Sequence, residues 1–280
     1  MALSRISHLL FRTLQYVVLV VLALSILYPL FWVLSGSFKT SAQLQLHPWS
    51  LPTRLNFQIY RSVLVNYHLQ WNLLNSILIT AATVIIVTVL SVLCAYGITR
   101  MKWRFSKWTL GFILLGILVP VHATLIPLYT MLQGLQQYID IRIVLVIPYL
   151  AFGLPVSIFI MCGFFRSLPI ELEEAAVIDG TSIIGAFFRV ILPISRPALA
   201  TAAIFTFIGA WNELLFALVF LQQSDTQTIP VALLQFIGAY NTNWAYVFAA
   251  IVITIVPSIV FYVFLQNKII EGTTAGAIKL

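Results

Sequence analysis

The chain has 280 residues, of which 61% are hydrophobic and only 8% are charged. An ordinary soluble domain carries roughly a quarter charged residues, so this composition excludes a soluble fold and indicates an integral membrane protein. The formal net charge is +7, but the positive residues are scattered in short loops beside apolar runs, which excludes a nucleic-acid-binding surface.

Six apolar stretches are long enough to cross a membrane, because a hydrocarbon core of about 30 Å needs around 20 helical residues. They lie at roughly 14–34, 71–98, 109–130, 143–165, 198–221 and 245–265. The first stretch follows two arginines but has no small-residue cleavage site at its end, so we interpret it as a retained span and not as a signal peptide. The pattern predicts an all-α protein with a single transmembrane domain over residues 1–280.

The lysines and arginines predict the orientation of these spans. Eleven of them fall in segments on one side of the six spans, and four fall on the other side, namely Lys39, Arg54, Arg61 and Arg142. Because positive residues accumulate on the cytoplasmic side, we expect both termini and the loop at 168–193 to lie in the cytoplasm.

Proline interrupts three of the predicted spans, at Pro120 and Pro127, at Pro148 and Pro155, and at Pro257. Proline removes a backbone donor and kinks a helix, which suits a bundle that surrounds a cavity. The alternative is that these prolines reflect only the general frequency of proline in membrane helices.

The loop at 168–193 holds four of the eight acidic residues of the chain. Glu171, Glu173 and Glu174 stand where a first helical turn favours acids, and Gly180 is predicted to break this helix. The loop therefore reads as one short helix, a hinge at the glycine and a second short helix.

Thr181 or Ser182 can cap the second helix, and Pro193 is predicted to end it. Five residues at helical spacing predict one apolar face: Ile183, Ile184, Phe187, Phe188 and Ile191. Such a face needs a partner surface, or else the helix lies on the lipid headgroups.

The spacing in this loop resembles the EAA loop of ABC-importer permease subunits. The matching residues are Glu174-Ala175-Ala176, then Gly180 after three residues, then Val190-Ile191-Leu192-Pro193 after nine more. Val190 replaces the usual isoleucine, and Asp179 before the glycine resembles the sugar-importer branch of the family.

Further matches extend the resemblance, in order, to the six-span permease of the maltose-transporter type. They are Asn75-Ser76, Ala95-Tyr96, Arg100, Ile126-Pro127-Leu128-Tyr129, Leu168-Pro169, Trp211-Asn212-Glu213 and the tail at 272–279. The last four residues, 277–280, depart from the family pattern.

The resemblance implies a type I (MetI-like) permease bundle of a binding-protein-dependent sugar importer in the bacterial cytoplasmic membrane. The implied partners are a second homologous permease, a cytoplasmic ATPase dimer, an extracytoplasmic solute-binding protein, the carbohydrate and membrane lipid. The implied contact residues for the ATPase are Glu173, Glu174, Ala175, Ala176, Asp179 and Gly180. ATP and Mg²⁺ would bind the ATPase, so we expect no cofactor, no metal and no enzymatic activity in this chain.

Glu213 is the one acidic residue predicted within a span, and a carboxylate at that depth normally faces a cavity or a partner. Beside it, Trp211 and Asn212 could stack on a sugar and hydrogen-bond to it, which makes the three residues candidates for the translocation path. The alternative is structural, with Asn212 and Glu213 bonded across the bundle and Trp211 only packed.

Two other classes of protein share some of these features. A secondary transporter fits six interrupted spans, but it is expected to show paired repeats and an ion site at mid-membrane. An intramembrane enzyme needs a cluster of catalytic groups, whereas the predicted spans hold only Glu213 and His122. The sequence has no GxxxxGK[ST] phosphate loop.

Overall fold

The computed structural model describes the backbone of residues 2–101, 103–238 and 242–277, and the side chains of 11–101, 103–238 and 242–266. All regular secondary structure in this described part is helical, which confirms the predicted all-α class. The contacts divide the chain into two compact units, formed by residues 1–69 with 233–255 and by residues 70–232 with 256–280. A single transmembrane domain over the whole chain stays a prediction, and the tail at 278–280 lies outside the described residues.

The α-helices of the described residues are numbered in chain order. They are α1 (Ala2–Gly36), α2 (Ser41–Leu46), α3 (Phe57–Arg61), α4 (Leu69–Arg100), α5 (Ser106–Leu118), α6 (Leu125–Leu132), α7 (Ile141–Ser167), α8 (Glu171–Ile178), α9 (Ile183–Ala186), α10 (Leu192–Ile194), α11 (Arg196–Trp211), α12 (Leu215–Phe220), α13 (Ile229–Ala232) and α14 (Trp244–Ala277). Short 3₁₀ turns occupy Val121–Thr124, Gln133–Gln137 and Leu233–Phe236, and π-turns occupy Ser62–Asn66 and Phe187–Ile191.

Four described helical segments are long and apolar enough to cross a membrane, namely Phe11–Gly36, Leu69–Arg100, Ile141–Ser167 and Trp244–Gln266. Two bent pairs raise the number to six if each pair is one span. Ser106–Leu118 bends by 87° into Val121–Gln137, and Ile183–Ile194 bends by 71° into Arg196–Trp211. That the chain crosses the membrane six times, and where each span begins and ends, stays a prediction.

The stretch at 109–130 is not one continuous helix. Helix α5 ends at Leu118, and Val119 takes an extended conformation with φ −70° and ψ 122°. Pro120 explains this break, because the residue before a proline is pushed out of the helical region and the proline has no N–H to continue the ladder.

The stretch at 198–221 is also divided. Helix α11 ends at Trp211, and α12 begins again at Leu215. Between them the Glu213 carboxylate accepts the backbone N–H groups of Phe216 at 2.8 Å and Ala217 at 3.0 Å. The side chain thus takes over donors that the helix would otherwise leave without partners, and it stabilises a new helix start.

Helix α7 forms the centre of the unit at 70–232 and 256–280, since its buried residues belong to both apolar clusters of that unit. Met161 and Phe165 lie in the cluster with Val92, while Leu145 and Tyr149 lie in the cluster with Phe216. Helices α5 and α11 pack along it. Lipid tails are as apolar as the buried side chains, so burial alone does not drive the helices together. Close packing and polar contacts between the helices therefore hold the bundle together in a membrane.

In the unit at 1–69 and 233–255, the segment after α1 folds around a buried lysine. The Lys39 ammonium donates to the carbonyl oxygens of His47 at 3.1 Å and Pro48 at 3.2 Å. Trp32 Nε1 also donates to the Pro48 oxygen, at 3.0 Å. Upstream, the side chains of α1 from Phe11 to Phe31 are exposed, as expected for a helix that faces lipid or another chain.

Candidate functional site

The predicted pair of short helices in the loop at 168–193 is confirmed. Helix α8 carries Glu171, Glu173 and Glu174 in its first turn, where the helix dipole favours negative charge. Ser182 caps α9, because its hydroxyl oxygen accepts the N–H of Gly185 at 3.1 Å. Of the two predicted caps, the structure uses this one.

Gly180 ends α8 with a Schellman motif. Its φ is +87°, in the left-handed region that glycine adopts without steric cost. The Gly180 N–H donates to the Val177 carbonyl and the Thr181 N–H donates to the Ala176 carbonyl, each at 3.0 Å. These are the two bonds that satisfy the last carbonyls of a helix in this motif. The predicted break at the glycine therefore has a specific backbone cause.

Two details of the second helix differ from the prediction. The helical run continues through Pro193 to Ile194, where the π-turn at Phe187–Ile191 passes directly into the one-turn helix α10. The predicted apolar face is also divided, since Phe187 and Ile191 are buried but Ile183, Ile184 and Phe188 are exposed. Ile183 and Ile184 lie at the start of α9, next to the glycine hinge, and the buried residues lie further along the run.

The exposed apolar side chains gather around the glycine. We call Val177, Ile178, Ile183 and Ile184 the loop tip; the exposed fraction of Ile178 reaches 84%. Glu174 and Asp179 are exposed beside it. The loop therefore presents an apolar tip with acidic neighbours, while Phe187 and Ile191 pack into the bundle and Phe188 stays exposed.

Glu173, one of the residues that the family resemblance implies as an ATPase contact, faces the bundle. Its carboxylate lies 3.3 Å from Arg100 Nε, and the two side chains are only 15% and 7% exposed. The Tyr96 hydroxyl donates to the same carboxylate at 3.3 Å. The loop is thus joined to the end of α4 through a buried ion pair.

Arg100 also holds the end of α7. Its Nη2 donates to the carbonyl oxygens of Phe165 at 2.6 Å and Leu168 at 2.8 Å. Both carbonyls belong to the end of a helix, where oxygens lack partners and a cation is favoured. One side chain therefore connects α4, α7 and α8.

Glu213 borders a cavity of about 280 Å³. Its carboxylate accepts the Tyr149 hydroxyl at 2.7 Å. Ser157 and Thr206, whose hydroxyls lie 3.1 Å apart, also line the cavity, and most of the remaining wall is apolar. The α7 wall of this cavity lies around Pro148 and Pro155, but α7 continues through both residues as one helix. The predicted interruption of this span by the two prolines is therefore wrong.

The three path candidates are separated in the structure. Trp211 is 2% exposed, stacks on Phe207 with ring centroids 5.5 Å apart and does not line the Glu213 cavity. Asn212 is exposed and donates to the Ile208 carbonyl of its own helix at 3.0 Å. Only Glu213 of the three reaches the cavity.

A polar cluster at the other end of α4 was noted in the sequence only as part of a motif. Asn75 donates to the carbonyl oxygens of Asp225 at 2.7 Å and Gln227 at 3.1 Å and accepts from Arg142 Nη1 at 3.0 Å. Ser76 accepts the Ile229 N–H at 2.8 Å. These contacts anchor the segment between α12 and α13.

Arg142 is paired with Asp140, the N-cap residue of α7. The hydrogen bond from the guanidinium holds the pKa of the Asp140 carboxyl below its ordinary value. Elsewhere in the described part of the chain, no group of three or more His, Cys, Asp or Glu residues is placed to hold a metal ion.

Comparison with known proteins assigns this arrangement to a family. Residues 87–268 match the family model described as binding-protein-dependent transport system inner membrane component. The diacetylchitobiose uptake system permease protein NgcG of Streptomyces coelicolor is 31% identical, with 96% of this chain and 89% of that protein covered. The trehalose transport system permease protein SugB of Mycobacterium tuberculosis is 33% identical, with 90% and 92% covered.

The fold is also found in a solved structure. A chain from the crystal structure of a bacterial ABC transporter involved in the import of the acidic polysaccharide alginate superposes with a TM-score of 0.79. It is 24% identical, and the match covers 92% of this chain and 96% of that chain. The chain therefore belongs to the family of inner membrane components of binding-protein-dependent transport systems and is a multi-pass permease of the ABC transporter class.

Proposed function

We propose that this permease carries a carbohydrate across the bacterial cytoplasmic membrane, driven by ATP hydrolysis on a separate ATPase that binds the loop at 168–193. One observation carries the proposal. Arg100 joins α8 to the end of α7, and α7 also forms a wall of the Glu213 cavity. A displacement of the loop by a partner would therefore reach the cavity wall through one packed helix.

The loop tip supports a protein partner over the lipid surface. Helices that lie on membranes usually carry basic residues on their polar face, which attract anionic lipid. Here the tip has Glu174 and Asp179 as exposed neighbours, and an anionic surface would repel them. A groove on an ATPase with apolar walls and a basic rim would fit both features.

The substrate class rests on the relatives and on the cavity. NgcG and SugB are named for uptake of diacetylchitobiose and trehalose, both of them carbohydrates. The Glu213 cavity combines aromatic rings with a few polar groups, including Phe152, Phe205 and Tyr149. Aromatic faces that stack on sugar rings, with a few groups that bond hydroxyls, suit such a solute.

The remaining roles belong to partners. A second homologous permease would complete the pathway, an extracytoplasmic binding protein would deliver the solute, and ATP with Mg²⁺ would bind the ATPase dimer. In this proposal both termini and the coupling loop face the cytoplasm. This chain supplies the path and the coupling surface and performs no chemistry.

Uptake by the complete transporter in proteoliposomes tests the proposal. We expect accumulation of at least one of trehalose, diacetylchitobiose and maltose with external binding protein and internal ATP, and none with ADP. Ionophores that collapse ion gradients should leave the uptake unchanged. Uptake that continues without ATP and stops with the ionophores would assign the chain to secondary transport instead.

A substitution at the hinge tests the coupling surface. Gly180→Val places a side chain at φ +87°, which costs roughly 1–2 kcal/mol and distorts the loop tip. The protein should still insert, but less ATPase should co-purify and uptake should fall. Gly163→Val is the control, because Gly163 lies inside α7 and no atom of another described element lies within 4 Å of an added Cβ. Normal uptake by the Gly180 variant would contradict the coupling role.

Glu213→Gln tests the path. The amide oxygen of the glutamine can still accept a hydrogen bond, but the side chain has no negative charge. Its NH₂ group would stand where one carboxylate oxygen now accepts from an N–H or hydroxyl donor. We expect a lower uptake rate with intact assembly of the complex, measured by co-purification of all subunits. Loss of assembly would favour the structural role of Glu213.

A further inference from the structure

A polar groove lies at the beginning of α7, apart from the Glu213 cavity. Its volume is about 470 Å³. Its walls come from three segments: α6 with the turn that follows it, the first residues of α7, and the end of α12 with the loop after it. Six of its lining residues carry the argument: Tyr129, Gln136, Asp140, Arg142, Phe220 and Gln223.

The groove offers hydrogen-bonding groups that the described protein does not use itself. Asp140 and Arg142 are bonded to each other, so that pair is held in place. The side chains of Gln136 and Gln223 have no hydrogen-bond partner among the described residues. An amide both donates and accepts, as a hydroxyl group does, so these side chains match an uncharged polyhydroxylated ligand.

The groove also has an aromatic wall. The Tyr129 ring stands edge-on to Phe220, with centroids 5.3 Å apart. Both rings line the groove. A fixed ring beside free amides is an arrangement that binds sugars, since an apolar ring face can be covered while the hydroxyls are bonded at the edges.

The groove and the Glu213 cavity follow one another along the same two helices. On α7, Arg142 lines the groove and Tyr149 lines the cavity, seven residues or about 10 Å further along the helix. On α12, Phe220 lines the groove and Phe216 lines the cavity, one turn apart. The groove and the cavity therefore occupy successive turns of both helices, with no lining residue in common.

We propose that this groove is a carbohydrate subsite on the binding-protein side of the membrane, where the solute is held before it enters the Glu213 cavity. The inference rests on the proposed function, because it takes both the solute class and the orientation from it.

Protection from thiol labelling tests the subsite in the complete transporter. Gln136→Cys and the matched control Gln137→Cys differ by one position in an exposed turn, and only residue 136 lines the groove. Proteoliposomes are treated from outside with a membrane-impermeant maleimide, with and without the sugar that the uptake assay identifies. The unsubstituted protein gives the baseline, since Cys162 is buried and Cys94 is half-buried.

The sugar should slow labelling of Gln136→Cys about threefold at two to three times its dissociation constant, and leave Gln137→Cys unchanged. In uptake assays, Gln136→Leu with Gln223→Leu should lower the rate at limiting sugar about tenfold, as expected for two lost hydrogen bonds, while Gln137→Leu should not.

Three results would overturn the subsite. They are equal labelling of Gln136→Cys with and without the transported sugar, equal protection at both positions, and labelling only from the inner side. If none of the three sugars is taken up, the proposed function fails first, and the subsite is withdrawn with it. Protection at residue 136 alone supports the subsite.

Discussion

The two ends of α4 are held by different chemistry. At the end next to the loop at 168–193, Arg100 forms an ion pair with Glu173 and binds two carbonyls at the end of α7. At the other end, Asn72 and Asn75 bind backbone carbonyls of the segment between α12 and α13. One end therefore depends on one buried ion pair, whereas the other depends mainly on hydrogen bonds from two neutral amides.

The difference indicates which end can change its contacts. A buried ion pair contributes little net stability, but removing one partner leaves an uncompensated charge and is costly. Its strength also depends on the distance between the Arg100 guanidinium and the Glu173 carboxylate, which α8 carries. Neutral amides that donate to backbone carbonyls also fix the geometry, and losing one of these hydrogen bonds costs less than leaving a buried charge unpaired. We expect the Arg100 end to transmit movement and the Asn75 end to stay fixed.

The largest effect is expected from Arg100→Met, which preserves the length of the side chain but removes its charge and donors. Glu173 and two helix-end carbonyls lose their partner, at a cost of about 3 kcal/mol. Uptake should fall severely while ATP hydrolysis by the complex continues, because the loop no longer moves α7.

The control for Arg100→Met is Arg104→Met, since Arg104 is exposed and its guanidinium lies over the Phe105 ring. Thermal denaturation and uptake are measured on both variants. Equal behaviour of the two would remove the distinction between the ends of α4.

A smaller effect is expected from Glu173→Gln, because the amide oxygen can still accept the Tyr96 hydroxyl. We expect a loss of about 1–2 kcal/mol. Combined with Arg100→Met, the two changes should cost less than their sum by at least about 1 kcal/mol, as for residues in direct contact. Additive losses of stability would mean that Arg100 and Glu173 do not stabilise each other.

Asn75→Ala should affect stability more than transport. It removes two bonds to backbone carbonyls and leaves Arg142 without one acceptor, which costs about 1–3 kcal/mol. Uptake per folded transporter should stay near normal. Gln70→Ala, an exposed change in the same helix, is the control for thermal denaturation. A selective loss of coupling in the Asn75 variant would contradict the fixed role of this end.

The smallest effect is expected at Asp140. Its ion pair with Arg142 is more than a third exposed, and such pairs contribute roughly 0–1 kcal/mol. Because Arg142 lowers the pKa of Asp140, the contribution is present above the ordinary pKa of 3.8 and is lost as the pH falls through the lower, folded-state value.

Asp140→Asn should therefore change the denaturation temperature by little and without pH dependence between pH 5 and 8. The wild-type protein provides the reference at each pH. A pH-dependent difference in denaturation temperature within that range would show that a titratable group other than Asp140 affects the stability of this end of α7.

The loop at 168–193 shows how far sequence patterns reach. Acids in a first turn, a glycine after the helix and a serine before the next one are local signals, and the structure forms both helices and the break where they were predicted. The division of the apolar face was missed, because helical spacing tells which residues share a face but not how far along the helix the bundle covers it. Ile183 and Ile184 at the start of α9 are exposed, whereas Phe187 is buried.

Glu213 shows the opposite case. Its position in an apolar run predicted a functional carboxylate, and the structure brings it to a cavity. Its neighbours Trp211 and Asn212 point elsewhere, because α11 ends at Trp211 and adjacent residues at a helix end face different directions. Closeness in the sequence was therefore a poor guide to which side chains share the cavity.

The amino-acid sequence alone determined the membrane class, the all-α fold and the two short helices of the loop at 168–193, because hydrophobic runs and helix caps act over a few residues. The sequence also carries the resemblance to the permease family. Only the tertiary structure decided that Glu173 turns inward to Arg100, that Asn75 anchors a segment 150 residues away and that a polar groove lies apart from the Glu213 cavity. These contacts join residues far apart in the chain, and their partners are set by helix packing, which no local pattern encodes.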